Sequence, residues 1–285
     1  MHTANIKVER VQRFWFFWLP LMPAVALFLT LMVWVRVSIA QETAQPTYAS
    51  AQQAIQALYD AVQNNNEQTI LQILGGRKEL ASSGDELKDK AERKQFVEKY
   101  QQMHRLVRQT DRSMVLYIGA ENWPFPEPLI SDKGKWRFDA DAGSEEILFR
   151  QIGEHEAVAI RVCHALVRTS NGDTVETSSS DPAIRYAQTL VSPQPGDARR
   201  IRVNAQVAST SFDGYRFRQV SDDADIADGN VVFVAYPVQY RSSGVMTFVI
   251  TADDAVFQKD LGPNTARLAK GIRKDTPDLS WQLAE

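Results

Sequence analysis

Residues 231–260, VVFVAYPVQYRSSGVMTFVITADDAVFQKD, decide the fold. Three apolar runs, Val231 to Val238, Val245 to Thr251 and Ala255 to Gln258, are separated only by Ser242-Ser243-Gly244 and by Asp253-Asp254. Runs of this length rich in Val, Ile and Phe read as strands, and links this short cannot carry the crossover that parallel neighbours need. The stretch is therefore an antiparallel meander. Upstream, Ile201 to Val207 and Tyr215 to Val220 extend it through turns at Asp213-Gly214 and Asp228-Gly229; downstream, a helix from about Asn264 to Ile272 closes one face.

Toward the N-terminus the period changes to that of helices. Ser50 stands three residues before Gln53 as in a capping box, and Ile55, Leu58, Tyr59 and Val62 follow on one face. Asn64-Asn65-Asn66 breaks this helix, Ile70, Leu71 and Leu74 mark a second, and Gly75-Gly76 ends it as a C-cap does. A third helix is predicted from Ser83 or Asp85 to about Arg108, with Phe96, Tyr100, Met103 and Val107 on one face. Residues 113–118 read as a strand buried on both faces. Trp123-Pro124-Phe125-Pro126-Glu127-Pro128 is excluded from helix, because each residue before a proline is pushed to extended geometry. Lys135 to Phe138 reads as a short strand followed by a turn at Gly143. A helix then runs from Ser144 to about Arg168 with a break at Gly153, and Ser170 to Pro195 reads as a linker or long surface loop. Helices early and strands late give an α+β class: a helical N-terminal half with short strands, then an antiparallel β-meander closed by a C-terminal helix. Residues 50–282 form one domain in this reading, with a subdivision near 170–200, and residues 41–49 are a tether.

The first forty residues say where the protein works. Lys7, Arg10 and Arg13 precede an uncharged run from Phe14 to Val35, and Ser38-Ile39-Ala40 places small residues at both positions a signal peptidase reads. Twenty-two uncharged residues are long enough to span a bilayer core of about 30 Å. Pro20 and Pro23 interrupt that span, leaving Ala24 to Val35 at the length of a signal core. The reading is an export signal cleaved after Ala40 on the general secretory route, with a retained inner-membrane anchor as the alternative. The flanking cations put the body of the protein in the periplasm or another extracytoplasmic space either way. Without this segment the formal net charge falls from −3 to −6, and no Lys/Arg cluster stands out, which argues against nucleic acid as a partner. The single cysteine, Cys163, cannot form an internal disulfide, so the fold rests on its apolar core.

Several strings share their order and spacing with a known group. They are Ser82-Ser83-Gly84-Asp85 leading to Tyr100 and His104; Gly119 followed by Trp123-Pro124-Phe125-Pro126 and Pro128-Leu129; Trp136 with Phe138-Asp139; and Gly143 with Glu146-Ile147. Later come Gly214-Tyr215 with Phe217-Arg218, Tyr236-Pro237 with Tyr240, residues 243–248 (SGVMTF) and residues 259–263 (KDLGP). Over about residues 48 to 282 the chain resembles the bacterial family of domain of unknown function 2950 (DUF2950). The family usually carries a longer, tyrosine-containing stretch where this chain has Ser170 to Asn204. The resemblance implies an exported or envelope-associated bacterial protein and brings no established reaction, cofactor or catalytic residue.

The residues themselves offer few sites. His155-Glu156 opens like a zinc-protease helix, but position 159, where the second histidine would stand, is alanine. Ser83, Asp85 and His104 have the residue types of a catalytic triad, and a hydrolase acting on envelope material, with Asp85 and His104 at its centre, is the alternative function. Their spacing along one helix argues against convergence, and a capping role for Ser83 or Asp85 is the simpler reading. Glu145 with Glu146 and Asp139 with Asp141 read as solvated first-turn or turn acids, and Lys259 as a solvated strand end. The sharpest local feature is the Trp-Pro-Phe-Pro-Glu-Pro strip, which either covers the core or displays rigid aromatics to a ligand. The expectation is a non-enzymatic domain that binds an envelope protein or small ligand, with Trp123, Phe125, Tyr236 and Tyr240 as contact residues, no catalytic residue, no metal and no cofactor.

Overall fold

Two five-stranded antiparallel sheets, each with its own helical cover, and a separate two-stranded hairpin make up the α+β architecture of the computed structural model, which describes residues 44–170, 180–194, 197–203, 210–220, 232–273 and 276–284. The N-terminal segment read as an export signal and the expected Asp228-Gly229 turn lie outside the described residues. Residues Gln45–Glu285 hold together as one unit.

The first half begins with α1 (Ala51–Gln63), capped by the Ser50 hydroxyl, which accepts from the Gln53 N–H. Gln53 Oε1 reaches back to the Ala49 N–H, one residue short of the ideal capping box. α2 (Glu67–Ile73) ends at Gly75 and Gly76, both at positive φ, and a single turn, α3 (Lys78–Ala81), follows. α4 spans Glu86–Gln102. The first sheet comprises β1 (His104–Arg108), β2 (Met114–Ile118), β4 (Leu129–Asp132) and β5 (Lys135–Phe138) in that order, with the two-residue β3 (Trp123–Pro124) also on β2. Ile55, Leu58, Ile70 and Tyr100 from the helices close over Leu116, Ile118, Leu129 and Phe138 of the sheet. Each such side chain contributes about 1.5–3 kcal/mol on burial.

Several expectations need correction here. The third helix ends at Gln102, not near Arg108: Met103 turns extended, and His104–Arg108 pairs with β2 in register from His104↔Ile118 to Arg108↔Met114. The tight return through Arg112 at positive φ lets Leu106 meet Leu116, and this outweighs the weak helical spacing of Met103 and Val107. β2 buries chiefly one face, through Leu116 and Ile118. Residues 45–48 are no tether, since the Gln45 amide donates to Ile73 O and Phe138 O at 2.9 Å, and Tyr48 and Trp136 exchange backbone hydrogen bonds at 2.8 Å.

Gly143 does not close a turn, and Gly153 does not break a helix. Both lie inside α5, a continuous helix from Ala140 to Ser170 of 31 residues, about 45 Å long at 1.5 Å per residue. Nor is Ser170 to Pro195 a featureless loop, because α6 (Pro182–Leu190) sits within it. Asp181 caps it, Pro182 opens it, and Ala183, Ala187 and Leu190 form its buried face. A hairpin of β6 (Val191–Gln194) and β7 (Asp197–Val203) follows.

The second sheet is the predicted meander without its expected first strand, because residues 201–203 pair with β6 instead: it comprises β8 (Tyr215–Gln219), β9 (Phe233–Pro237), β10 (Met246–Ile250) and β11 (Val256–Asp260), completed by an unforeseen edge strand, β12 (Gln282–Leu283). One face packs Phe217, Phe233, Phe248 and Ile250 against α5 and α6. The other packs Val234, Tyr236 and Val249 against Trp281 and Ala269 of α7 (Thr265–Lys270), which follows a short 3-10 turn. Cover on both faces explains why all of β9 is buried and reads as an unbroken apolar run. Among the described residues no helix is long and apolar enough to cross a membrane.

Candidate functional site

The aromatic–proline strip runs back along β2 after the turn at Gly119 and Asn122, both at positive φ. Trp123 pairs with Ile118, Pro124 with Tyr117, and the Phe125 N–H donates to Leu116 O at 2.7 Å. Proline on either side of Phe125 holds this path extended. Phe125 is half-buried and turns inward, its ring edge-on to Phe96 at 5.7 Å and to Phe138 at 6.0 Å. Trp123 is 38% exposed and meets Phe125 edge-on at 6.3 Å. The chain of rings continues from Phe96 to Tyr100, which is stacked between Tyr59 and His104.

Helix α5 borders this strip. The Arg150 guanidinium lies 5.1 Å from the Trp123 ring centre, within cation–π range, and its Nε donates to Glu146 Oε1 at 2.8 Å. Phe149, on the same helix, is 57% exposed. Glu127, next to the last proline of the strip, is only 1% exposed, and its Oε2 has no hydrogen-bond partner. Burial pushes this carboxyl up to about 7; its own backbone N–H and the Arg150 charge pull weakly the other way. A Cβ at Gly143 would stand 2.3 Å from Glu127 Cγ, so the helix carries glycine there to admit the acid. The geometry can present an immobilised indole and a guanidinium to a partner, with a buried acid four residues along the strip from the indole.

The other contact residues lie in the second sheet. Tyr236 is 6% exposed and part of the core beneath α7. Tyr240 is half-buried; its hydroxyl donates to Asp260 Oδ2 at 3.0 Å, and Arg241 lies 5.5 Å from its ring centre. None of these contacts reaches the Trp123 strip.

Ser83, Asp85 and His104 are not brought together. The Ser83 hydroxyl donates to Asp89, whose carboxyl is pulled down to about 2 by hydrogen bonds from Ser82 and Ser83. The Asp85 carboxylate accepts the Leu87 and Lys88 N–H groups as the cap of α4. His104 lies beyond the other end of that 17-residue helix, about 25 Å away, with Nδ1 3.0 Å from Tyr100 O.

His155 and Glu156 join α5 to the meander: His155 Nδ1 lies 3.0 Å from Ser243 O, and Glu156 Oε1 accepts the Val245 and Met246 N–H groups at 2.8 and 2.9 Å. His164 meets Asp254 at 2.7 Å, with Arg168 3.7 Å from the same carboxylate. Glu146 pairs with Arg150 rather than acting as a first-turn acid, Asp139 accepts the Ala142 N–H, and Asp141 pairs with Arg77. Lys259 donates to Ser280 Oγ at 2.5 Å beside Trp281 and so ties down the C-terminal segment. Among the described residues no group of three or more His, Cys, Asp or Glu side chains is placed to hold a metal ion.

Sequence reasoning missed Glu127, Arg150 and Gly143 as a unit. The signal was present as an acid enclosed by prolines and aromatics, together with a glycine near a helix start. Compared with known proteins, residues 45–199 and 196–284 match the family model described as protein of unknown function (DUF2950). No curated protein and no solved structure matches the chain.

Proposed function

Since the chain belongs to the DUF2950 family of proteins of unknown function, we propose that it is an exported envelope protein whose α+β domain binds a partner protein or small ligand through the Trp123 surface, without chemistry of its own. The observation that carries this reading is the state of Trp123: 38% exposed, yet held by Pro124, the Phe125 edge and the Arg150 guanidinium. An aromatic already fixed in place gives contact area at little further entropy cost. Export is supported by the uncharged run from Phe14 to Val35 behind three cations and by the Ser38-Ile39-Ala40 site.

A photo-crosslinking amino acid introduced at position 123, and separately at the 82%-exposed Leu87 as a control, tests the surface in intact cells. The expected result is a discrete adduct from position 123 that position 87 does not give. Equal adducts from both, or none from 123, overturn the assignment. N-terminal sequencing of the exported protein tests the leader: a start at Gln41 marks cleavage and an intact Met1 an anchor.

A further inference from the structure

Two carboxylic acids are buried among the described residues, and they are treated oppositely. Asp89 is met by the hydroxyls of Ser82 and Ser83 and by the Ser83 N–H. Glu127 is given a glycine notch at Gly143 and no partner for Oε2. An apolar side chain of similar size would fill that notch without the desolvation of a carboxyl, so the acid is a departure from simple packing, of the kind that marks a functional position.

The surroundings say what the acid acts on. From α5, Arg150 stands seven residues after Gly143 and so on the same face of the helix two turns on, its charge acts on the carboxyl, and Glu146 holds that arginine. Its own strip supplies Phe125 and the prolines, and Asp139, a second acid whose N–H donates to Pro128 O at 2.8 Å, has its carboxylate taken by the Ala142 N–H. An ionised Glu127 therefore has Arg150 as its counter-charge. Glu146 is half-exposed and returns to water at little cost when released, whereas a buried carboxylate gains much from a cation. We propose that Glu127 is a proton-operated control on the Trp123 surface: protonated, it leaves Arg150 over the indole; ionised, it draws the guanidinium inward and uncovers the ring. This rests on the reading of Trp123 as the contact surface.

The test needs no ligand, so its outcome is independent of the crosslinking result. Protein labelled with 5-fluorotryptophan is followed by fluorine NMR from pH 5 to 9, the Trp123 resonance being identified by its loss in Trp123→Phe. The expected result is a one-proton transition of that resonance centred near pH 7, absent in Glu127→Gln and in Arg150→Met. A resonance that stays fixed in the wild type, or a transition that survives in Glu127→Gln, overturns the proposal. Should Glu127→Gln fail to fold, Glu127→Asp replaces it: its shorter carboxyl must move the midpoint, and an unchanged midpoint is equally fatal.

Discussion

Replacing Glu127 by glutamine removes a proton-binding group while keeping its volume in the Gly143 notch, and the consequence for stability follows from the fold. In the unfolded chain the carboxyl ionises around its ordinary value of 4.5; in the folded protein burial holds its proton until about pH 7. Between those limits the folded state binds more protons than the unfolded state, so this contribution to stability falls as pH rises. It is fully present below about pH 4.5 and lost as pH passes through about 7. A tenfold difference in proton affinity corresponds to about 1.4 kcal/mol, so the loss across the window is about 3 kcal/mol. That is a large share of a typical net stability of about 5–15 kcal/mol. Urea denaturation of both proteins from pH 4.5 to 8 gives the difference curve, from which every other titrating group cancels. Glu127→Gln gains about 3 kcal/mol on the wild type over that range. Two stability curves that stay parallel within about 0.5 kcal/mol would refute the buried, protonated acid.

Three further outcomes follow from α5 and its neighbours. Gly143→Ala brings a Cβ within 2.3 Å of Glu127 Cγ, whereas Gly153→Ala meets nothing within 4 Å. Overpacking of about 1–3 kcal/mol outweighs the helix preference for alanine at 143, while 153 gains about 0.5–1 kcal/mol, so thermal midpoints of the two variants shift in opposite directions. Glu156→Ala strands the Val245 and Met246 N–H groups, which costs about 2–4 kcal/mol and accelerates amide hydrogen exchange at those two positions. Asp89→Asn removes an acid-sensitive contribution: the Asp89 carboxyl is held at about 2 by Ser82 and Ser83, so its stabilisation is present above about pH 4 and lost as pH falls through 2. Acid titration by circular dichroism should show the variant missing that limb.

The meander was legible because β9 and β10 are covered on both faces, which leaves continuous apolar runs between short polar turns. The Ser50 cap and the Gly75-Gly76 stop were legible for a different reason, since each acts through the local backbone. What escaped depended on distant partners. His104–Arg108 becomes a strand because β2 lies beside it, and Gly143 is glycine because Glu127, distant in sequence, fills the space of its Cβ. Arg150 over Trp123 follows from the same crossing of helix and strip. Residue types alone named Trp123 and Phe125 but could not tell which faces outward, and Tyr236 was indistinguishable from Tyr240 until the cover of α7 was known.

The unbroken run of α5 also decides how the gene can be divided. Its first turn seats Glu127 beside the first sheet, while Ala159, Val162, Cys163 and Leu166 further along are buried with the second. A fragment ending at Ser170 would carry that apolar stripe bare into solvent, and the complementary fragment would expose Phe217, Phe233 and Phe248. Neither piece would remain soluble on expression, so split reporters and domain swaps built on this chain must carry the helix together with both of the sheets it serves.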